Sequence, residues 1–236
     1  NDNITISDCE IRDRSDIAGT PAWGINCNGT NGMISQYNNN TVIKNNNVHD
    51  YFINANFAHG ILFGVGNSSC TITNNSLYHT VAKTYSLGTG SMRGIFVSLT
   101  SPVNNTGGYT VTNNYIGGNA PLATGDMTVN VSGAVVTSFI GLLVSTGQIP
   151  NYIEGNVIRN VDFTTTAPTA NTTIFNPIQT GNGIHSIGTL TGNVIGTANG
   201  TGSLKININT GGTSSSFFAG ILAIATNGSY AIRNNT

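Results

Sequence analysis

A spaced pair of apolar residues with an Asn between them recurs along the chain, as in the segments VIKNNNV, TITNNSL, TVTNNYI and TLTGNVI. The second apolar residue follows the first by five positions, and the Asn follows the first by three. Seven copies fill the chain at intervals of 29 to 42 residues, and their first apolar positions are Ile6, Ile43, Ile72, Val111, Ile153, Leu190 and Ile232. The pattern predicts short strands that recur with every repeat.

Two columns inside this motif predict a tight bend that carries an amide. Two positions after the first apolar residue stand Asp8, Asn45, Asn74, Asn113, Gly155, Gly192 and Asn234, which belong to the residue types that tolerate positive φ most readily. The next position holds Cys9 in the first copy and Asn in the other six, at Asn46, Asn75, Asn114, Asn156, Asn193 and Asn235.

A second signature keeps step with the Asn motif. A Gly followed by Ile or Leu precedes every copy after the first, at Gly24-Ile25, Gly60-Ile61, Gly94-Ile95, Gly141-Leu142, Gly183-Ile184 and Gly220-Ile221. Between the two motifs lies a longer segment, which in several copies contains an alternating run such as MTVNV or SLKINI. Each repeat is therefore interpreted as three short strands joined by turns.

Short strands at this period, without a helical pattern between them, are typical of a β-solenoid in which each coil pairs with the next. Equivalent residues of stacked coils lie about 4.8 Å apart, so a buried Asn amide can donate to one coil and accept from the other. The Asn column is predicted to form an internal ladder that satisfies the polar groups of the bend.

With these two motifs in phase, the chain resembles the right-handed parallel β-helix repeat family, the pectin-lyase-like superfamily, over essentially its whole length. The resemblance implies an all-β, right-handed parallel β-helix of about seven coils with three short strands each. Within the superfamily, the chain is most similar to the repeat regions of large exported bacterial surface proteins. The superfamily also includes polysaccharide lyases and hydrolases, so the resemblance alone does not decide the function.

One outward row of the solenoid is predicted to be apolar. If the apolar residue of each Gly-Ile pair points inward, the next residue points outward, which places Asn26, Leu62, Phe96, Leu143, His185 and Leu222 in one row. We call Leu62, Phe96, Leu143 and Leu222 the apolar stripe. Such a stripe indicates a partner surface or a face covered by the protein's own inserted segments, and we expect it to be covered.

Composition narrows the classes of partner. Only 7% of the 236 residues are charged and the net charge is -1, which disfavours binding to nucleic acid or to anionic lipid. The apolar runs are too short for a membrane-spanning helix, so no membrane insertion is expected. The three cysteines lack metal-ligand spacing, and a disulfide between Cys9 and Cys27 stays open as an alternative to buried thiols.

Titratable side chains concentrate in the first three coils. A polar patch is predicted there from Glu10, Arg12, Asp13, His49, Asp50, Tyr78 and His79. A uronate lyase needs a base and nearby cations, and Arg12, a His and the Asp pair can supply those groups. The hydrolase and lyase signatures of the superfamily are absent, however, so we interpret the patch as solvated polar corners. No cofactor or metal is expected, with calcium at this end as the open alternative.

These observations favour a non-enzymatic structural or adhesive segment of a large secreted or cell-surface protein, such as a stalk, fibre or adhesin. Residues 1–236 are expected to form a single β-helix segment, excerpted from a longer solenoid and lacking its end caps. The expected partners are neighbouring coils or subunits, together with surface glycans. A polysaccharide lyase or glycosidase, and a glycan-binding module on the same polar face, are the two alternatives.

Overall fold

Parallel strands stack coil upon coil in the computed structural model, which describes residues 3–13, 20–30, 33–98, 106–132, 137–166, 172–197, 203–208 and 216–236. The strands pair across coils rather than within them, and every strand pair that joins the named strands is parallel. The fold is therefore a parallel β-helix, as the repeat pattern predicted.

The Asn motif contributes two of the sheets, one on each side of its bend. Sheet 1 precedes the bend and contains β1 (Thr5–Ser7), β5 (Val42–Lys44), β9 (Thr71–Thr73), β13 (Thr110–Thr112), β17 (Asn151–Glu154), β21 (Gly183–Ile187) and β26 (Gly228–Ile232). Sheet 2 follows the bend and contains β2 (Glu10–Arg12), β6 (Asn47–His49), β10 (Ser76–Tyr78), β14 (Tyr115–Ile116), β18 (Val157–Ile158) and β22 (Val194–Ile195).

The variable segments and the Gly-Ile signatures form the other two large sheets. Sheet 3 contains β11 (Lys83–Tyr85), β15 (Met127–Val131), β19 (Val161–Thr165) and β23 (Leu204–Ile208). Sheet 4 contains β3 (Trp23–Cys27), β7 (Phe57–Phe63), β12 (Gly90–Ser98), β16 (Thr137–Ser145), β20 (Thr172–Thr180), β24 (Ser216–Phe218) and β25 (Ile221–Ala223). The sequence predicted three short strands per repeat, whereas the strands of the structure are distributed over these four sheets.

Smaller elements occupy the connections. β4 (Asn38–Asn39) pairs with β8 (Asn67–Ser68), and two short 3-10 turns span Ile34–Gln36 and Pro121–Ala123. Among the described residues, no helix is long and apolar enough to cross a membrane.

One hydrophobic core runs along the inside of the stacked coils. In sheet 1 the inward row places Ile6, Ile43, Ile72, Val111, Ile153, Ile187 and Ile232 in register, one from each coil. Aromatic rings also pack within the core, where Phe139 stacks on Phe175 at 5.0 Å and Phe163 meets Phe175 edge-on at 6.0 Å. Stacking of equivalent aliphatic side chains gives adjacent coils similar apolar contacts.

The predicted ladder is confirmed. The backbone N and the Nδ2 of Asn75 both donate to Oδ1 of Asn114, at 3.1 and 3.0 Å, and Asn114 repeats this arrangement with Asn156. The same two bonds link Asn46 to Asn75, Asn156 to Asn193 and Asn193 to Asn235.

The remaining Nδ2 hydrogen of each ladder amide is also used. It donates to a sheet 1 carbonyl of the preceding coil, as in the 2.9 Å bond from Asn114 to Ile72 O. The Oδ1 of each ladder Asn from Asn75 onwards therefore accepts two bonds, whereas that of Asn46 accepts one, from the backbone N of Cys9, which stands in place of an Asn. These bonds satisfy amides that are costly to bury unpaired.

The bend next to the ladder has the expected backbone conformation in six coils. Asp8, Asn45, Asn74, Asn113, Gly155 and Asn234 have φ between 54° and 64°. The left-handed region disfavours most side chains and favours Asn, Asp and Gly, which explains that column of the sequence.

We number the coils by the seven copies of the Asn motif. Coil 6, which contains Asn193, departs from the predicted register. Ile187, and not Leu190, occupies the inward position of sheet 1, between Ile153 and Ile232. Six positions separate Ile187 from Asn193, whereas three separate Ile153 from Asn156, so this coil carries three extra residues before the ladder. Leu190 lies on the resulting loop and is 82% exposed.

The prediction for Gly183-Ile184 was also wrong. The member of the sheet 4 column in this coil is Ile178, which pairs with Leu142 and Ile221, while Gly183–Ile187 belongs to sheet 1. His185 consequently points inward and is buried, and Gln179 takes the outward position that was predicted for it.

Candidate functional site

Six of the seven predicted patch residues come together at the corner that follows sheet 2. β2 ends with Arg12, β6 ends with His49 and β10 ends with Tyr78, so parallel pairing stacks the ends of these three strands. Asp13 is the exception, because it makes no hydrogen bond or ion pair with another described residue. We call Glu10, Arg12, His49, Asp50, Tyr78, His79, Thr80 and Lys83 the polar cluster.

Asp50 is the centre of the polar cluster. Its Oδ1 accepts from the backbone N of Thr80 at 3.1 Å and lies 3.2 Å from Lys83 Nζ. Its Oδ2 accepts from Thr80 Oγ1 at 2.6 Å and lies 2.9 Å from His49 Nδ1. Asp50 has positive φ, 58°, so the backbone turns there and directs the carboxylate towards the next coil.

These contacts determine the charge of the carboxylate. Burial by itself raises the pKa of Asp50, but hydrogen bonds from Thr80 and His49 and the charge of Lys83 outweigh it, and the pKa falls to about 2. Asp50 is therefore an anion at neutral pH, and the groups around it already use both of its oxygens.

Sequence reasoning missed Lys83 and Thr80. Lys83 occupies an inward position of sheet 3, in register with Val129, and its side chain is 9% exposed. The sequence contained a signal for Lys83, which is the first residue of the alternating segment Lys83-Thr84-Tyr85. A Lys at an inward position requires a buried acidic partner.

The imidazole of His49 bridges two acidic side chains. Its Nδ1 faces Asp50, its Nε2 lies 3.3 Å from Glu10 Oε1, and its ring stacks on Tyr78 at 4.6 Å with an interplanar angle of 12°. Which nitrogen donates depends on the tautomer. Burial, and then the charges of Glu10 and Asp50, raise the pKa of Tyr78, so its phenol stays protonated.

The imidazole of His79 lies deeper, and neither of its nitrogens has a hydrogen-bond partner among the described residues. Its side chain is fully buried, its Nδ1 is 3.9 Å from Asp50 Oδ1, and its ring lies 4.7 Å from that of Tyr51. Burial, together with the charge of Lys83, lowers the pKa of His79 to about 3, and it is neutral at physiological pH.

The prediction of solvated polar corners was wrong for most of this patch, because His49, Tyr78 and His79 are buried. Glu10, Arg12 and Thr80 are the members of the polar cluster that are exposed. The side chains of Glu10 and Arg12 are 61% and 56% exposed and form an ion pair at 3.4 Å. Within the described residues, no group of three or more His, Cys, Asp or Glu side chains is placed to hold a metal ion. The cluster thus presents one exposed carboxylate and one exposed guanidinium, above the paired charges of Asp50 and Lys83.

The apolar stripe lies in one register row on the outside of sheet 4. Phe96 lies between Leu62 and Leu143 of the two adjacent coils, and Leu222 follows Leu143 after Gln179. All four side chains are partly buried.

Neighbouring side chains cover part of this stripe. His59 stacks on Phe96 at 5.0 Å, and the guanidinium of Arg93 lies 4.4 Å from Phe96 and 4.5 Å from Phe57. Burial, and then the charge of Arg93, lower the pKa of His59 to about 4, so it stacks as a neutral ring.

All three cysteines are free thiols, so the structure contains no bond between Cys9 and Cys27. Cys9 Sγ instead donates to the carbonyl of Ser7 at 3.1 Å. Burial raises the pKa of both Cys27 and Cys70 to about 11, which makes them unreactive as thiolates at neutral pH.

Comparison of the chain with known protein families, with curated proteins and with solved structures found no match in any of the three.

Proposed function

We propose that the chain is a non-enzymatic structural segment of a large secreted or cell-surface protein, where it serves as part of a stiff stalk, fibre or adhesin. In this proposal the solenoid belongs to the pectin-lyase-like superfamily, in its exported bacterial surface branch. Continuous inter-coil pairing in four sheets, with a ladder through six coils, supports a rigid element whose stability grows with each added coil.

The observation that carries the proposal is the internal use of the titratable groups. A lyase site needs a base with a free lone pair next to cations that are open to the substrate. Here Asp50 accepts bonds on both oxygens, His49 lies between two acidic side chains, and Lys83 points into the coil. These residues join coils 1, 2 and 3 to one another, which is a structural use of their charges.

The proposal is tested with a panel of uronate and neutral polysaccharides, with and without calcium, by measuring released unsaturated and reducing ends. We expect no turnover. His49→Ala and Arg12→Ala are compared with Asp13→Asn, which lies outside the polar cluster. His49→Ala is expected to lower the melting temperature, and Asp13→Asn is expected to leave it unchanged.

Turnover by the unmodified protein that disappears in His49→Ala or Arg12→Ala would replace the structural role with the lyase or glycosidase alternative. Retention on a polysaccharide without turnover, lost in the same variants, would favour a glycan-binding module on this face. Surface labelling of cells that express the full-length protein tests the extracellular location.

A further inference from the structure

A groove lies on the outer face of sheet 1, away from the polar cluster. It has a volume of about 470 Å³, and Thr110 and Thr112 of β13 together with Tyr152 of β17 form its floor. Leu190 and Thr191 of the coil 6 loop form one wall. Pockets that hold small molecules measure roughly 300 to 1,000 Å³, so this groove has room for a ligand of one or two rings.

The three-residue insertion in coil 6 builds the wall of this groove. Without it, Ile187 would reach Asn193 by the same three-residue step that joins Ile153 to Asn156, and no loop would rise above the strands. Of the six coils that have a ladder Asn, coil 6 is the one that carries this insertion. The ladder continues beneath the insertion through Asn193.

Glu154 holds that wall in one conformation. Its Oε1 accepts from the backbone N and Oγ1 of Thr189 at 3.0 and 2.8 Å, and its Oε2 accepts from the backbone N of Leu190 and of Thr191 at 3.1 and 2.9 Å. Glu154 is 6% exposed. A loop fixed in this way before binding loses little conformational entropy when a ligand arrives.

The lining offers a ligand no charged group that is free of partners. Glu154 is the one charged residue of the lining, and both of its oxygens already accept two bonds from the loop. A cation would therefore find no free carboxylate oxygen, and an anion would find a carboxylate nearby without a compensating base.

The exposed groups of the groove combine flat apolar surface with hydroxyl groups. Tyr152 is 42% exposed and Leu190 is 82% exposed, while Thr110 and Tyr152 are register neighbours on adjacent strands. An aromatic ring beside hydroxyl and amide groups suits a neutral molecule that has one apolar face and a polar rim.

We propose that this groove binds a neutral saccharide, with one sugar ring packed between Tyr152 and Leu190 and its hydroxyls bonded to Thr110, Thr191 and the amide of Asn113. A pyranose ring presents an apolar C–H face and a rim of hydroxyls, which matches both components of the lining. The binding requires no titrating group and is independent of the structural role of the solenoid.

The test is affinity electrophoresis through gels that contain neutral glucan, mannan, xylan or galactan, with polygalacturonate and alginate gels in parallel. We expect retardation in at least one neutral gel, and calorimetry with oligosaccharides of that glycan then measures the affinity. Tyr152→Ala is expected to weaken binding about tenfold or more, because it removes the ring on which the sugar packs. Tyr152→Phe, which keeps the ring, is expected to bind as the unmodified protein does.

Tyr115→Ala is the matched control, since Tyr115 lies on β14 of sheet 2 and outside the groove. Leu190→Ser provides a second variant on an exposed loop position, and it is expected to weaken binding severalfold without affecting the core. Melting temperatures of all variants show whether the fold persists.

The proposal is overturned if no neutral gel retards the protein, or if only the acidic gels do. It is also overturned if Tyr152→Ala and Leu190→Ser bind as tightly as the Tyr115→Ala control. None of these results bears on the structural role, which is judged by turnover and by stability of the polar cluster variants.

Discussion

The corner between sheets 1 and 2 repeats one asparagine through six coils, whereas the corner after sheet 2 changes its side chains from coil to coil. At the first corner, Asn114 makes the same bonds to Asn156 as Asn75 makes to Asn114. At the second corner the polar cluster occupies coils 1 to 3, and Gly117 and Gly118, both with positive φ, replace it in coil 4.

The difference reflects the different hydrogen-bonding groups of an amide and a carboxylate. An amide carries both donors and an acceptor, so a column of identical amides satisfies itself without any charge. A carboxylate only accepts, so Asp50 needs different neighbours, which the chain supplies as Thr80, His49 and Lys83. The first corner, which we call the ladder corner, can therefore repeat in every coil. The second corner, which we call the charged corner, needs a different set of side chains in each coil, and its stability depends on pH.

The largest effect is expected from breaking the charged corner. Lys83→Met removes the ammonium beside Asp50 and leaves a largely buried carboxylate without its counter-ion, which should destabilise the protein by about 3 kcal/mol in urea unfolding. Adding Asp50→Asn to Lys83→Met should recover part of this loss, because the uncompensated charge is then gone.

Lys205→Met is the matched control for that experiment. Lys205 pairs with Asp126 at 3.1 Å, but the two side chains are 42% and 54% exposed, so water screens the pair. Its loss should change the free energy of unfolding by less than about 0.5 kcal/mol. Equal effects at Lys83 and Lys205 would show that burial of the Asp50 pair has no energetic consequence.

A smaller effect is expected from breaking the ladder corner. Asn114→Ala leaves the backbone N and Nδ2 of Asn75 without their acceptor and should cost about 2 kcal/mol by the same measurement. The loss should be the same at neutral and acidic pH, since no ladder group titrates. Asn130→Ala, on the outer face of sheet 3, is the control and should be nearly silent. A ladder variant as stable as the control would contradict the role assigned to the amides.

The smallest effect concerns mild acid and separates the two corners most directly. The pKa of His79 is about 3 in the folded protein, against 6.5 for the free side chain. Between these values the unfolded chain binds a proton that the folded protein excludes, so stability falls as the pH falls below about 6.5. By about pH 5.5 this one His should account for roughly 1 kcal/mol of lost stability.

His79→Leu should remove that share of the pH dependence while changing the stability at neutral pH little, because the imidazole nitrogens make no hydrogen bond to the described residues. The charges that face His79 come from Asp50, Lys83 and His49. Asp50 keeps its charge throughout this range, since its pKa is about 2. Identical stability profiles for His79→Leu and the unmodified protein between pH 7 and about pH 5.5 would rule out His79 as a source.

Most of the fold could be predicted because its determinants are local and repeat. An apolar residue, a residue that tolerates positive φ, an Asn and a second apolar residue specify strand, bend, ladder and strand within six positions, as at Ile72 to Leu77. The pattern recurs along the chain, so the copies support one another. The meeting of Arg12, His49 and Tyr78 could be predicted for the same reason, since each stands three positions after the ladder position of its coil.

The register of coil 6 was decided by tertiary structure. Thr189-Leu190-Thr191-Gly192-Asn193 has the same pattern as the true motif, and the sequence offers no local reason to prefer Ile187 over Leu190. The choice follows from pairing on both sides, where β17 and β26 place Ile153 and Ile232 opposite Ile187. Glu154 then stabilises the displaced Leu190 loop through bonds from residues 35 to 37 positions away.

The sequence by itself determined the coil, the ladder and the inward apolar rows, because a periodic solenoid imposes the same requirement at every repeat. Tertiary structure decided which residues leave the repeat: Lys83 entering the interior to meet Asp50, His185 turning inward, and the loop at Leu190 rising over the groove. These features depend on contacts between coils. A residue that departs from the repeat has no equivalent in the other coils, so the neighbouring coils determine where it lies.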